Sequence, residues 1–465
     1  MKLLIAALVS GSILLHGFAQ NGESAAPQSV ERTGDGKPKC GLGAAFHAGR
    51  RAALRKELGT GVVVVRGLPE TRDYLPFRQD KVFWYLTGIE SPNAWLVMDC
   101  KSGKEALFLP DPNKMGEMWE GERWDAGDEW VRELTGFEKV HPTRDVEARI
   151  DEMLGSRETL WVSMHPSLAL AGAADRAGPY DRTQKKDPFD GRSGREEAFA
   201  AALEKRFKSK PKDLSPKLNE LRRVKTPEEL DAMRRAARAG ALATMEAMRS
   251  TRPGLGEWEL DSLMSWFHVK EGAAGPAYMA IVGSGPNSLV LHYGANSRRM
   301  QDGEVVLVDY APEVDHSTCD ITRTWPVNGK FSARQAELYD AVLDAQKAGI
   351  AAAKPGVTIG DVDQACAEVL QTRGFGKMIR HGACHYIGME VHDVGAFGKP
   401  LVPGACFTIE PGLYEQETGI GIRIEDVVVI TENGCDVISG LAPRERADIE
   451  ALIATEGVLD WIRAR

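Results

Sequence analysis

The stretch Val305-Val-Leu-Val-Asp309-Tyr-Ala-Pro-Glu-Val-Asp-His-Ser-Thr-Cys-Asp320-Ile-Thr-Arg-Thr-Trp325 holds two acids where acids are costly. Val305 to Val308 is a continuous apolar run that reads as a buried strand, and Asp309 ends it. Asp320 opens a second strand-like run, Ile321 to Trp325. A carboxylate in such surroundings must be paired or bound to metal. Two further clusters of this kind follow. One is His381-Gly-Ala-Cys-His385 with Val391-His392-Asp393, and the other is Phe407-Thr-Ile-Glu410-Pro-Gly-Leu-Tyr414 with Ile422-Arg-Ile-Glu425-Asp426.

Two aspartates, two glutamates and a histidine form a hard, oxygen-rich ligand set. Any one of these acids alone reads as a strand-end residue facing water. Together they repel one another unless multivalent positive charge lies between them, and four carboxylates with one imidazole suit a dinuclear site. Such ligands suit two divalent ions, Mn²⁺ foremost, with Zn²⁺ and Co²⁺ as competitors. Four of the ten histidines, His292, His381, His385 and His392, lie in or just before this segment. His292 sits in Val290-Leu-His292-Tyr293, which reads as another apolar strand. Several imidazoles in one neighbourhood point to a ligand with donors around it that hold substrate and move protons.

Outward from this core, Thr226-Pro227-Glu228-Glu229 signals a helix start, and the helix can run to about Arg249. Arg252-Pro253-Gly254 and Glu259-Leu260-Asp261 return 102 residues later as Lys354-Pro355-Gly356 and Asp361-Val362-Asp363. The echo is short and points to a duplicated helix-plus-strand unit. Before residue 221, apolar runs such as Gly61-Val-Val-Val-Val-Arg66 and Ala94-Trp-Leu-Val-Met98 alternate with helical spacing at Ala44–Leu58 and Asp145–Leu154, which favours an α/β layer domain. The expected plan is therefore a signal peptide at 1–19, with a short apolar core and cleavage after Ala19, and a flexible leader at 20–39. An α/β domain at 40–172, a polar insertion or linker at 173–220 with one helix from Glu196 to Phe207, and a second domain at 221–465 complete it. The mature protein is expected to be exported, periplasmic or secreted, and free of any membrane anchor.

These residues resemble the pita-bread metallopeptidases, and most closely aminopeptidase P. The resemblance rests on Asp309, Asp320-Ile-Thr-Arg-Thr-Trp-Pro-Val-Asn-Gly, His381-Gly-x-x-His385-x-x-Gly-x-x-Val-His392-Asp-Val-Gly, Thr408-Ile-Glu-Pro-Gly-Leu-Tyr414 and Gly421-Ile-Arg-Ile-Glu-Asp426. In the first domain, Asp73-Tyr-Leu-Pro-Phe-Arg-Gln-Asp80, Phe83-Trp-Tyr-Leu-Thr-Gly88 and Glu117-Met-Trp-Glu-Gly121 are similar to the creatinase-like domain of that family. The resemblance implies a creatinase-like α/β domain followed by an α+β pita-bread domain with a duplicated half. It places Asp309, Asp320, His385, Glu410 and Glu425 on the metal-ligand positions, with Asp320 and Glu425 bridging. Glu410 falls on the proton acceptor, His292, His381 and His392 on substrate-contacting and proton-handling histidines, and Tyr414 and Arg423 on residues that orient them. It also implies dimers or larger assemblies in which the N-terminal domain, through Trp119, borders a neighbour's site. Tyr310 and Cys319 depart from the residues common beside the two aspartates and are expected to alter the pocket.

The implied activity is release of the first residue from peptides with proline second, a bond whose tertiary amide needs a dedicated pocket. The alternatives are a prolidase restricted to Xaa-Pro dipeptides, a non-catalytic pita-bread binding module and a metal-free amidinohydrolase; the intact ligand set disfavours the last two. An open aminopeptidase site needs no arginine clamp beyond proline, and none is evident around Trp119 or from His381 to His392, since Arg380 on a strand would point away. With 58 basic against 67 acidic side chains the net charge is −9, so no basic field exists to hold nucleic acid or an anionic membrane. The seven cysteines form no CxxC pair, so neither a zinc knuckle nor a dense disulfide scaffold is indicated.

Overall fold

Val62, Val63, Val64 and Val65 are all buried, because helices cover both faces of the strand that carries them. The computed structural model describes residues 38–463 except 72–74, 156–158, 169 and 172–173. The expected signal peptide and almost all of the leader lie outside the described residues, as do Asp73 and Tyr74 of the first motif. No described helix is long and apolar enough to cross a membrane.

The first domain is a six-stranded sheet of β1 (Val62–Arg66), β2 (Trp95–Asp99), β3 (Glu105–Leu109), β4 (Val140–Pro142), β5 (Leu160–Val162) and β6 (Lys212–Asp213), in the order β4-β3-β2-β1-β5-β6. Val63 and Val65 face a core with Leu54, Phe83 and Leu86, while Val62 and Val64 face Ile150, Leu154, Phe199 and Leu203. The expected linker is therefore corrected in part. Helix Arg195–Phe207 and edge strand β6 belong to this sheet layer, because Phe199, Ala200 and Leu203 bury against it. The rest of the segment is not featureless either: Ala174–Lys185 is a helix despite Pro179 within it.

In the second domain, β8 (Ile281–Ser284), β9 (Val305–Asp309) and β12 (Thr322–Pro326) form one antiparallel half-sheet. β13 (Cys406–Ile409), β16 (Asp426–Ile430) and β17 (Cys435–Val437) form the other, beside which β14 (Gly412–Glu415) and β15 (Ile420–Arg423) make a separate two-stranded hairpin. Small strands β7 (Gly275–Pro276), β10 (Pro312–Val314) and β11 (Ser317–Thr318) form a further sheet. Helices Pro227–Ser250, Glu257–Lys270, Ala333–Ala352 and Ile359–Thr372 pack outside them. The first starts on a capping box, Thr226 with Glu229, as its sequence predicts. Gly349 lets the last two helices approach closely, since a Cβ there would lie 2.5 Å from Cys366 Sγ and 2.9 Å from Ile409 Cγ2.

The 102-residue echo is a structural repeat. Gly254 and Gly356 both take positive φ, +87° and +90°. Met300 N donates to Leu255 O at 2.9 Å, and Leu401 N donates to Val357 O at 2.7 Å. Glu259 and Asp361 each accept from the backbone N–H that opens their helix, Gly256 at 2.8 Å and Thr358 at 2.7 Å. The half-sheets are stitched together where Glu425 N donates to Thr322 O at 3.0 Å and Thr324 Oγ1 donates to Arg423 O at 3.0 Å.

Buried charges join the two domains. Glu313 pairs with Arg78 and Lys81 of the first domain, and His165 Nε2 lies 2.8 Å from Glu390 Oε1. Behind this contact, within the second domain, Arg222 reaches both Glu390 and Asp393, and Lys225 Nζ is 2.9 Å from Asp393 Oδ2. All seven cysteines are described, and all are free thiols.

Candidate metal centre

Strand register brings the acids together. Thr322 lies opposite Asp309 in the β9–β12 ladder, and Asp320, two residues earlier, shares the Thr322 face. In the second half Ile409 pairs with Asp426, and the next step of that register sets Glu410 opposite Glu425. His385 comes from an irregular segment held beside β13, where Thr408 N donates to His385 O and Glu410 N to Ala383 O, each at 2.8 Å. All five side chains line one cavity of about 730 Å³.

Ligand-capable atoms of Asp320, His385 and Glu425 lie within 4.8 Å of one another. His385 Nε2 is 3.6 Å from Asp320 Oδ2, 3.3 Å from Glu410 Oε1 and 3.9 Å from Glu425 Oε1. Its Nδ1 donates to Tyr386 O at 3.0 Å, which leaves the Nε2 lone pair facing the carboxylates. Asp309 is tied in through Tyr278, whose Oη is 2.7 Å from Asp309 Oδ1 and 2.6 Å from Asp320 Oδ1. On its other side Asp309 Oδ2 accepts from Arg423 Nη2 at 2.6 Å.

Four carboxylates facing the committed guanidinium of Arg423 leave the ligand cluster itself short of positive charge. Burial, and then Asp309, hold the Asp320 carboxyl well above the usual carboxylate range. Burial, then Asp320 and Glu410, do the same to Glu425, and burial with Asp309 pushes Glu410 up to about 8 against the pull of Arg423. Burial lowers His385 to about 3, so its imidazole is neutral. Glu425 Oε2 accepts from Thr322 Oγ1 at 2.6 Å, but its Oε1 is buried with no hydrogen-bond partner. An orphaned carboxylate oxygen beside an unprotonated imidazole is satisfied by a cation, and the oxygen-rich set fits a hard divalent ion.

Around the acids runs a proton-ordering chain. Arg423 Nη1 donates to Tyr414 Oη at 3.1 Å, so the Tyr414 proton points to His381 Nε2 at 2.8 Å. His381 Nδ1 then donates to Gly382 O at 2.8 Å and lies 3.8 Å from Glu410 Oε2. Burial, then Arg423, lower His381 to about 4. His392 packs against His385, ring centres 4.2 Å apart and planes tilted by 34°, and His292 also lines the cavity.

Residues 231–432 match the metallopeptidase family M24, and residues 47–161 match the aminopeptidase P N-terminal domain. The Xaa-Pro aminopeptidase of Escherichia coli (strain K12) is 32% identical over 450 residues, covering 87% of this chain and 96% of that protein. The chain belongs to the aminopeptidase P group of family M24. Solved structures agree with this placement. A putative aminopeptidase P from Bacillus anthracis superposes with a TM-score of 0.80 at 26% identity, covering 90% of this chain and 100% of that one. Aminopeptidase P from Escherichia coli with the inhibitor Pro-Leu gives 0.74 at 30% identity, covering 88% and 98%. Family membership makes this a metallopeptidase with an N-terminal aminopeptidase P domain and a pita-bread catalytic domain.

Several local expectations need correction. His292 lies in a turn after the short 3-10 helix Gly285–Leu289, not on a strand, because Leu289, Leu291 and Tyr293 pack against Ile281 and Leu307 from a compact loop. Arg380 is likewise in irregular chain; it is exposed and does not line the cavity. Tyr310 and Cys319 face away from the cavity into the core, Tyr310 against His268, whereas Cys384 lines it. Trp119 is not among these corrections: expected to border a neighbour's site, it stands 78% exposed on helix Lys114–Glu120, outside the cavity of its own chain. Sequence reasoning passed over Tyr278, Thr322 and Thr408. The two threonines carry a readable signal, since each lies two residues from a candidate ligand on a strand and so shares its face.

Proposed function

We propose that this chain is a metal-dependent exopeptidase that releases the first residue of peptides whose second residue is proline. The observation that carries the reading is the convergence of Asp309, Asp320, His385, Glu410 and Glu425 on one cavity, with Glu425 Oε1 buried and unpartnered. Those five residues would hold two divalent ions, Mn²⁺ foremost. When bound, such ions supply Lewis acidity that lowers the pKa of a water and polarises a carbonyl.

The chain's own groups do the rest. Glu410, set 3.3 Å from His385 Nε2 and flanked by Thr408 Oγ1 at 3.5 Å, accepts the proton of the attacking water and returns it to the departing prolyl nitrogen. No amide nitrogen departs as its strongly basic anion, and the prolyl nitrogen carries no hydrogen in the substrate, so the hydrogen on the product amine is the one that Glu410 delivers. Tyr278 and Arg423 fix the orientation of Asp309, and Thr322 fixes Glu425, so the carboxylates need not reorganise during turnover. His292 Nδ1 accepts from Arg176 Nη2, so its Nε2 carries the proton and offers a donor within the cavity. His381, held by Tyr414, presents a neutral ring beside Glu410.

The reading also takes the chain to be exported behind residues 1–19 and assembled through the N-terminal domain, where Met115, Met118 and Trp119 are exposed together. N-terminal sequencing of the secreted protein and its mass in solution test those two points. The activity is tested with metal-depleted protein given Mn²⁺. Release of the first residue from Xaa-Pro-Yaa but not from Xaa-Ala-Yaa is expected; equal cleavage of both, or cleavage without metal, would overturn the reading.

A further inference from the structure

Helix Ala174–Lys185 brings a cation to the catalytic cavity. Two guanidiniums line that cavity, those of Arg176 and Arg423. Arg423 is committed to Asp309, Thr322 and Tyr414. Arg176 is not neutralised in this way: its Nη2 donates to His292 Nδ1 at 3.1 Å, and it has no carboxylate partner among the described residues. Its neighbour Asp175 is engaged elsewhere, 3.3 Å from His392 Nδ1. A guanidinium on a cavity wall without an acid to meet it is a receptor for a carboxylate, which it can bind through two parallel hydrogen bonds.

Position sets the length of ligand that fits. His392 packs in a tilted contact against the candidate ligand His385, and helix Ala174–Lys185 touches both His392 and His292. The helix thus stands one imidazole further out than the candidate ligands. Extended chain advances about 3.4 Å per residue, so an imidazole and its hydrogen bond correspond to one or two residues beyond the bond that is cut.

We propose that Arg176 is a specificity-determining residue that pairs with the free C-terminal carboxylate of short substrates, tripeptides of the form Xaa-Pro-Yaa. The inference rests on the exopeptidase reading given above. It gives the segment between the domains a role in substrate choice, and it supplies from outside the catalytic domain an arginine that the His381–His392 segment lacks. Longer peptides carry their carboxylate past Arg176, and amides present none.

The experiment compares kcat/KM for a tripeptide Xaa-Pro-Yaa with that for its C-terminal amide, using wild-type and Arg176→Gln protein loaded with Mn²⁺. The ratio of the two is independent of how much variant is correctly folded. The free acid is expected to be preferred by about tenfold, mainly through KM, and the preference to fall below about twofold in Arg176→Gln. Arg176→Lys should keep part of it, because the charge remains while the paired geometry is lost. Equal rates on acid and amide with wild type, or an undiminished preference in Arg176→Gln, would overturn the proposal. Failure to cleave either peptide would instead overturn the exopeptidase reading itself.

Discussion

Replacing Tyr278 by Phe removes one oxygen and leaves the ring in place. That oxygen contacts Asp309 at 2.7 Å and Asp320 at 2.6 Å, the two acids contributed by the first half of the pita-bread domain. A phenol has a single proton, so only one of these contacts is a donated hydrogen bond at any moment, and the loss should be counted once. A buried hydrogen bond to a charged acceptor contributes about 1.5–3 kcal/mol, or roughly 10–100-fold in metal affinity when it orients a ligand. Both carboxylates would still be present, with Arg423 still on Asp309, so the lower half of that range is expected, about 10–30-fold. The assay is competition for Mn²⁺ between the protein and a chelator of known affinity, with unfolding followed separately to confirm that the variant is native. Affinity within about threefold of wild type would refute the view that Tyr278 holds the aspartates in ligand geometry.

Asp320→Ala and Glu425→Ala should each lose metal and turnover together, because each is expected to bridge two ions; full activity of either at trace metal would sink the dinuclear site. Arg222→Met strips a buried guanidinium, 1% exposed, from Glu390 and Asp393. His165 and Lys225 remain as partners, so the loss should be near the lower end for a broken buried pair, about 3 kcal/mol in a denaturant titration, and an unchanged midpoint would contradict it. His47 is buried with Nδ1 donating to Tyr85 O at 3.0 Å and Nε2 accepting from Leu42 N at 3.1 Å, and burial lowers its pKa from 6.5 to about 4. Below pH 6.5 the unfolded chain takes up a proton that the folded chain refuses, so stability should fall by roughly 3 kcal/mol between pH 6.5 and 4 on this account alone. His47→Gln should flatten that part of the stability profile, and an unaltered slope would rule His47 out as the cause.

The ligand residues were legible because they break a rule locally. Asp309 closes four buried apolar residues, and Glu410 and Glu425 interrupt others, so each advertises a compensating charge within a few residues of sequence. The repeat was legible because Gly254 and Gly356, each following a proline, hold a positive φ that few other residues tolerate. Tyr278 was not legible: a tyrosine three residues ahead of a strand reads as ordinary core, and only tertiary placement brings its oxygen between two aspartates. Helix Ala174–Lys185 was hidden by Gly178-Pro179, which reads as a breaker, and by its charge, which reads as solvated surface. The strand assigned to His292 failed because a short apolar run does not distinguish a strand from a packed turn.

The buried charges between the domains have a consequence for how such a chain can be altered by recombination. Glu313 and Glu390 belong to the catalytic domain, yet Arg78, Lys81 and His165, which meet them, lie before residue 221. A chimera that exchanges the first domain alone would strand acid groups in an apolar boundary unless the donor brought matching cations at matching depth. Crossovers at this boundary should therefore be tolerated only when both sides of each ion cluster travel together. The boundary at 221 divides the sequence, but it is not a place where the protein comes apart.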